Sequence, residues 1–175
     1  EAGFSMEPVQ EDSMDKWTIK LFQFDTDSAL HKDMFVLGLD HIELEMSFPN
    51  DYPFLPPFVR VVRPKFERRT GHVLNGALCM ELLTNDGWNP VNDIESVIVS
   101  IRATLVAGGG RLAAAVAMGD KRRRELLEHP KKRAAGEMDT LMKEAGYYTE
   151  GEAIVALQSL SQYHKTAGWA ASQRG

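Results

Sequence analysis

The sequence predicts an α+β fold, an antiparallel β-meander sheet with helices packed on one face. Apolar side chains alternate with polar ones over 42–48, which is the period of a half-buried strand. Over 94–105 the apolar side chains recur at helical spacing instead. The strand patterns precede the helical ones and lie close together, and this spacing favours antiparallel strands over parallel strands joined by crossover helices.

Three segments predict strands of this sheet. They are Trp17–Leu21, 42–48 and Phe58–Val62. Between the last two, Pro49–Pro57 holds four prolines in nine residues, and proline lacks the N–H that a strand ladder needs. We therefore expect a rigid surface loop between these two strands.

Three helices are expected in the second half of the chain. Asn92–Glu95 reads as a capping box for a helix that runs through Leu105 and ends at a run of three glycines. A second helical pattern covers 138–146. A third, capped by Thr149–Glu152, runs to about His164.

Length and composition indicate one compact domain over 1–175, with a core at 16–106 and a helical carboxyl-terminal part at 119–169. The formal net charge of -5 provides no global positive field for nucleic acid. No apolar run approaches the roughly 20 residues that span a bilayer, so no membrane role is expected. The basic runs 121–124 and 131–133 are interpreted as solvated helix faces. The single cysteine excludes an internal disulfide, and we expect a reducing cytoplasmic or nuclear setting.

Three motifs follow one another along the chain. They are the proline loop with Tyr52–Pro57, the lone Cys79, and Trp88–Pro90 before a helix. Their order and spacing resemble the ubiquitin-conjugating enzyme family. Segments that resemble its Q-like subgroup lie at 53–61, 77–84, 94–98 and 164–169. The resemblance implies that Cys79 accepts ubiquitin as a thioester from an activating enzyme and passes it to a protein substrate or a ubiquitin ligase, without a metal or organic cofactor.

Three features of the family are missing from this sequence. Most members carry a His-Pro-Asn tripeptide before the cysteine. This chain has Arg68–His72 at that place and lacks the tripeptide, and Q-like members lack it too. The acidic residue that many members place after the second helix is missing from Ala107–Leu112. Strand-like sequence begins within the first ten residues, so we expect the family's amino-terminal helix to be absent from this chain.

Cys79, read alone, is more typical of a buried core position than of a nucleophile. Its surroundings favour the nucleophile, because glycine-rich polar sequence precedes it and a Trp-x-Pro turn follows it. The oxyanion of the attack needs a donor at about 3 Å, and His72 and Asn75 are the first candidates, with Asn85 as a third. A backbone N–H would serve equally well. The alternative is that these residues form turns and have no chemical role.

An acceptor lysine must lose a proton before it attacks, because a group with a pKa of about 10.4 is almost fully charged at pH 7. Glu81, Asp86 and Asp93 are candidates for orienting the amine or accepting its proton. The alternative is that each is a solvated loop charge, or, for Asp93, a charge at the start of a helix.

The resemblance also implies a contact surface for ubiquitin ligases at Phe54, Pro90 and Val91. An aromatic side chain on a proline-stiffened loop loses little entropy when a partner buries it. The alternative is that Phe54 packs inward and supports its own loop. We expect Trp88 to support the core.

These observations together predict a ubiquitin-conjugating enzyme. The main alternative is a catalytically silent domain of the same fold that acts as a ubiquitin-binding scaffold, which the missing tripeptide and loop acid favour and the retained Cys79 opposes. A purely structural docking domain is opposed by Trp88–Pro90 beside the cysteine. A cysteine protease is not supported, because no protease signature surrounds Cys79.

Overall fold

The computed structural model describes residues 3–160. In this range one sheet contains six antiparallel strands in the order β1-β2-β3-β4-β6-β5. The strands are β1 (Phe4–Gln10), β2 (Ser13–Leu21), β3 (Ile42–Ser47), β4 (Phe58–Arg63), β5 (Val73–Leu74) and β6 (Ala77–Leu78). The three strands predicted from alternation are β2, β3 and β4, and the sheet confirms the predicted fold class.

Most of the helices lie in the second half of the chain, as predicted. They are α1 (Ala29–Leu37), α2 (Ile94–Ala107), α3 (Ala113–Ala117), α4 (Asp120–Glu128), α5 (Glu137–Glu144) and α6, described over 150–160. His164 and the rest of the predicted helical part lie outside the described residues. Within 3–160, no helix has the length and apolar content needed to cross a membrane.

The core lies between the sheet and α2. Leu44 on β3 pairs with Ile19 on β2 and with Val61 on β4, and all three side chains are fully buried. Burying one such side chain contributes about 1.5–3 kcal/mol. Ile98 and Ile101 of α2 complete the same apolar cluster. The alternation over 42–48 therefore identified the core face of the sheet.

The start of α2 lies one residue later than the predicted capping box. The N-cap is Asp93, whose Oδ1 accepts a hydrogen bond from the N–H of Ser96 at 2.7 Å. Asn92 belongs instead to the preceding turn, because its N–H donates to the carbonyl of Asn89 at 2.9 Å. The prediction that Asn92 caps the helix with Glu95 was therefore wrong.

Helix α1 was not predicted from the sequence. It connects β2 to β3, which are neighbouring strands of the sheet. Ser28 caps its start, where Oγ accepts from the N–H of His31 at 3.1 Å, and Gly38 ends it at a φ of 70°. Its Asp33 side chain is completely buried, so polar residues appear on the core face and obscure the helical pattern.

The prediction that the basic runs are solvated is wrong for Arg122, Arg123 and Arg133, which are partly buried. It is confirmed for the exposed residues of the runs, Lys121, Arg124, Lys131 and Lys132. Arg123 Nε donates to Asp33 Oδ1 at 2.6 Å, and Arg133 Nη2 donates to the carbonyl of Phe35 at 2.8 Å. Arg122 forms an ion pair with Glu137 at 2.8 Å. The runs are partly buried because they fix α4 and the following turn to α1 and α5.

Helix α6 packs on the opposite face of the sheet from α2. Val59 and Val61 of β4 point into the main core, so Phe58 and Arg60 point to the other face. On that other face, a second apolar cluster joins the hairpin of β5 and β6 to α6. Its members are Ala77, Ala153 and Ala156, with the partly buried Phe58, Leu74 and Leu157. The periodicity of the sequence predicts that α6 is a helix but does not show which face it covers.

Candidate active site

Cys79 follows the shortest hairpin of the sheet. Strands β5 and β6 pair at Val73 with Leu78, and the turn between them is Asn75-Gly76. Both turn residues have positive φ, 48° and 88°, which an Asn-Gly hairpin turn adopts with little strain. The N–H of Cys79 donates to the carbonyl of His72 at 2.8 Å, just beyond the last strand pair. The cysteine backbone is therefore fixed although the residue lies outside a strand.

The thiol of Cys79 is half-buried, and this burial raises its pKa above the ordinary value. Desolvation disfavours the thiolate, which is the form that attacks a carbonyl. The thiol is accessible at an irregular segment, as the sequence predicted, but its surroundings do not activate it.

His72 lies opposite Cys79, to which it is joined by the backbone hydrogen bond. Its own φ is 59°, a left-handed value that is uncommon outside glycine. Its ring packs against Gly108 at the end of α2, where an added Cβ would stand 2.5 Å from Cδ2 of the imidazole. The structure therefore places His72 between the cysteine segment and the helix end.

Asn75 lies at the tip of the hairpin and is exposed. Along the strand direction it is three residues beyond the pair formed by His72 and Cys79, which corresponds to roughly 10 Å. Its side chain belongs to a two-residue turn, so the turn-forming interpretation explains its presence. The structure brings His72 close to Cys79 and does not bring Asn75 equally close. An oxyanion role stays a prediction for both.

Glu81 and Asp86 lie on a compact loop that begins two residues after the cysteine. Thr84 organises this loop: its Oγ1 donates to the carbonyl of Glu81 at 2.7 Å and accepts from the N–H of Gly87 at 3.0 Å. The two acidic side chains are exposed. Their role in orienting an amine stays a prediction.

Asp93 has a structural role as the N-cap of α2. Its hydrogen bonds with Ser96 lower the pKa of the carboxyl group, which keeps it ionised. A carboxylate with a lowered pKa is a weak proton acceptor. The helix-start interpretation is therefore supported by the geometry, while the amine-orienting role stays a prediction.

Trp88 joins the compact loop that follows Cys79 to the proline loop. Its indole is buried, and Nε1 donates to the carbonyl of Pro53 at 2.7 Å. The expected supporting role of Trp88 is confirmed. Phe54 and Val91 stand on the two joined loops with exposed fractions of 77% and 83%, so inward packing of Phe54 is wrong. Pro90 is exposed next to Val91.

The glycine-rich loop after α2 has a role that the sequence did not indicate. The N–H of Gly71 donates to the carbonyl of Gly108 at 3.0 Å, and the N–H of Arg111 donates to Thr70 Oγ1 at 3.0 Å. These bonds hold the segment that leads to His72. The sequence predicts that these glycines end the helix or free the loop after it; three in a row also permit close backbone approach.

Among residues 3–160, no group of three or more His, Cys, Asp or Glu side chains is arranged to hold a metal ion.

The fold and the lone cysteine before a Trp-x-Pro turn define a conjugating-type domain, and comparison with known proteins agrees. The family model for "Ubiquitin-conjugating enzyme" matches residues 1–133. The chain belongs to the ubiquitin-conjugating enzyme family, in its Q-like subgroup. The predicted resemblance is thereby confirmed.

Curated relatives carry the subgroup in their names. The human ubiquitin-conjugating enzyme Q-like protein 1 is 36% identical over 94% of this chain and 86% of its own length. Human "Ubiquitin-conjugating enzyme E2 Q1" is 51% identical over 58% of this chain, which spans only 25% of that protein. The ubiquitin-conjugating enzyme Q-like protein CG4502 of Drosophila melanogaster is 45% identical over 65% of this chain and 36% of its own length.

Solved structures of conjugating enzymes were also matched. The human E2 G1 structure is 20% identical over 59% of this chain and 79% of that chain, with a TM-score of 0.46.

Proposed function

We propose that this chain accepts ubiquitin from an activating enzyme as a thioester on Cys79 and transfers it to a protein substrate or a ubiquitin ligase. The observation that carries the proposal is the position of the only cysteine in the sequence. It is half-exposed, its backbone is bonded to His72, and it stands between the hairpin and the loop held by Trp88. Membership of the family supports the same activity.

The loading step is an exchange between two thioesters. The Cys79 thiol gives up its proton, and its sulfur attacks the thioester carbonyl carbon of ubiquitin bound to the activating enzyme. A new S–C bond forms, the old one breaks, and the activating enzyme's sulfur leaves as a thiolate. Bond types are conserved, so the exchange is close to balanced in free energy. ATP is consumed earlier, by the activating enzyme.

The transfer step forms an amide. A neutral lysine amine attacks the thioester carbonyl carbon, the C–S bond breaks, and Cys79 leaves as a thiolate while the amine loses its extra proton. His72 or Asn75 would stabilise the oxyanion; the backbone of His72 is bonded to that of Cys79, and Asn75 lies at the tip of the same hairpin. Glu81 and Asp86 would orient the amine from their exposed loop, with Asp93 nearby at the start of α2.

The partner surface would consist of Phe54, Pro90 and Val91. Two loops carry these exposed side chains, and the hydrogen bond from Trp88 to Pro53 holds the loops together. Such a surface is preorganised, which reduces the entropy cost of binding a ligase. We propose a cytoplasmic or nuclear setting, in which the thiol stays reduced, and a reaction that needs neither a metal nor an organic cofactor on this chain.

The test is to incubate the chain with activating enzyme, ATP and ubiquitin and to run gels with and without reductant. We expect an adduct that reductant removes and that Cys79→Ala does not form. A second reaction uses ubiquitin activated as a thioester of a small thiol, which needs no docking of the activating enzyme. If neither reaction loads Cys79 with ubiquitin or a ubiquitin-like protein, the chain is not a carrier and the silent scaffold takes its place.

A further inference from the structure

The hairpin that precedes Cys79 has two faces. Val73 and Leu78 face the main core and are buried. Leu74 pairs with Ala77, and Ala77 pairs with Arg60 of β4, so Leu74 and Ala77 share the opposite face. Each strand of this hairpin has only two residues. So short a ladder cannot fix its own position and depends on what packs against its two faces.

Helix α6 packs on the second face of the hairpin. Ala77, Ala153 and Ala156 are all buried and form one cluster, with Leu74 and Leu157 partly buried beside it. Contacts between alanines allow the helix backbone to approach the hairpin closely. A larger side chain at Ala153, which has 0% exposure, cannot fit without displacing its neighbours.

The segment before α6 fixes the position of the helix. The N–H of Tyr148 donates to the carbonyl of Val62 at 2.7 Å, and the N–H of Lys65 donates to the carbonyl of Ala145 at 2.8 Å. The segment therefore runs beside the end of β4. A Cβ at Gly76 would stand 2.9 Å from the carbonyl oxygen of Val61 and 3.0 Å from Cβ of Tyr148. Only glycine fits at this point of the hairpin turn.

Two polar contacts strengthen the same attachment. Arg60, which is almost completely buried, donates from Nη1 to the carbonyl of Tyr148 at 3.2 Å. At the first turn of α6, Glu150 pairs with Lys16 of β2 at 3.1 Å. The segment 145–160 is thus attached to β2, to β4 and to the hairpin by independent contacts.

We propose that residues 145–160 are a positioning element for Cys79, in which Ala153 acts through Ala77 on the hairpin that carries the cysteine. This rests on the proposed function of Cys79 as the ubiquitin carrier. The element lies beyond residues 1–133, which the family model matches. Ala77 is two residues before Cys79, whose N–H is bonded to the other hairpin arm at His72. A hairpin that loses α6 therefore moves the cysteine with it.

The test compares Ala153→Glu with Ile154→Glu in the full chain. Both add the same charge to α6, but Ala153 has 0% exposure and Ile154 has 39%. For Ala153→Glu we expect kcat for loading from the activating enzyme to fall by about tenfold or more, with a small change in KM, because a misplaced nucleophile loses its alignment. Ile154→Glu is expected to load at the rate of the unchanged protein.

A second readout separates positioning from general damage. Iodoacetamide needs no alignment, so a Cys79 released from its half-buried position in Ala153→Glu should be alkylated several-fold faster while loading slows. Hydrogen exchange at 150–160 verifies that α6 has detached. All rates are measured well below the melting temperature of each variant. If Ala153→Glu does not fold, Leu157→Ala is used in its place, because it removes a partly buried contact of the same cluster.

Two results would overturn the proposal. One is equal loading and alkylation rates in the two glutamate variants although α6 is detached in one of them. The other is loading and alkylation that change only in proportion to the unfolded fraction. If the unchanged protein does not load at all, the proposed function fails, and the contrast in alkylation between the variants still decides whether α6 positions Cys79.

Discussion

Cys79 combines a fixed backbone with a half-buried thiol whose pKa is raised by desolvation. A cysteine that is activated within its own site usually shows the opposite shift, produced by a nearby cation or a helix N-terminus. Intrinsic nucleophilicity increases with pKa, so a thiol of raised pKa attacks well once its proton is removed. Under the proposed function, this thiol reacts slowly with electrophiles until its proton is removed.

The first prediction concerns the ionisation of Cys79. Alkylation by iodoacetamide should rise with pH along a curve whose midpoint lies above the ordinary cysteine value of about 8.5. Cys79 is the only cysteine, so total labelling reports it alone. In urea the midpoint should return to the ordinary value, and a native midpoint at or below that value would contradict the prediction. The Cys79 thiol loses its proton at a lower pH in the unfolded chain than in the folded one. The free energy of unfolding should therefore fall as pH rises above the ordinary cysteine pKa.

Asp93 allows a structural role to be separated from a chemical one. Asp93→Ala removes the N-cap of α2 and should lower the melting temperature by about 2–4 °C. Asp93→Asn keeps a capping oxygen and should melt close to the unchanged protein, while transfer to free lysine also stays unchanged if capping is its only role. Slower transfer in the well-folded asparagine variant would instead assign Asp93 to the amine.

The pKa of Asp93 is lowered, so its contribution to stability is present above the ordinary carboxyl pKa and is lost as pH falls through the folded value.

At the scale of the elements, Asp33 on α1 has the most deeply buried charged side chain among residues 3–160. Its carboxylate accepts from Arg123 Nε at 2.6 Å, from Arg111 Nε at 2.7 Å and from the N–H of Leu112 at 2.9 Å. One side chain thus joins α1, the loop after α2 and the first turn of α4. The buried carboxylate is compensated by the two arginines, so removal of Asp33 leaves both guanidinium groups without their counter-ion.

Asp33→Ala should therefore lower the free energy of unfolding by about 3–5 kcal/mol, as measured by urea denaturation. The matched control is Asp40→Ala. Asp40 also pairs with a neighbour, His41, but its side chain is 86% exposed, and no measurable loss is expected. A similar loss in both variants would show that burial does not determine the contribution of Asp33.

The elements differ in how far the sequence could predict them. Strands β2 to β4 and helix α2 have long periodic patterns, and their positions were predicted closely, apart from the first four residues of β2. The strands of the β5–β6 hairpin have two residues each, too few for a period to appear. Helix α1 has cap signals at Ser28 and Gly38, but its buried Asp33 disrupts the apolar stripe. Its partners Arg111 and Arg123 are 78 and 90 residues away along the chain.

Over the whole molecule the sheet separates two apolar clusters of unequal size. The large cluster lies under α2, and the small one, built on alanines, lies under α6. The candidate site is at the edge where both clusters reach the same hairpin. The sequence identified Cys79, Trp88 and Phe54 because their local motifs are specific. It could not place His72 against Gly108, or α6 behind Ala77, because those contacts depend on the folded sheet.

Trp88 has a consequence for observing this protein at work. Its indole N–H is bonded to Pro53, one residue from the exposed Phe54, and its backbone lies next to the loop that follows Cys79. Indole emission depends on the polarity around the ring and on that hydrogen bond. Once the other two tryptophans, Trp17 and Trp169, are replaced, the emission of Trp88 reports on the junction between the surface proposed for partners and the segment proposed for chemistry.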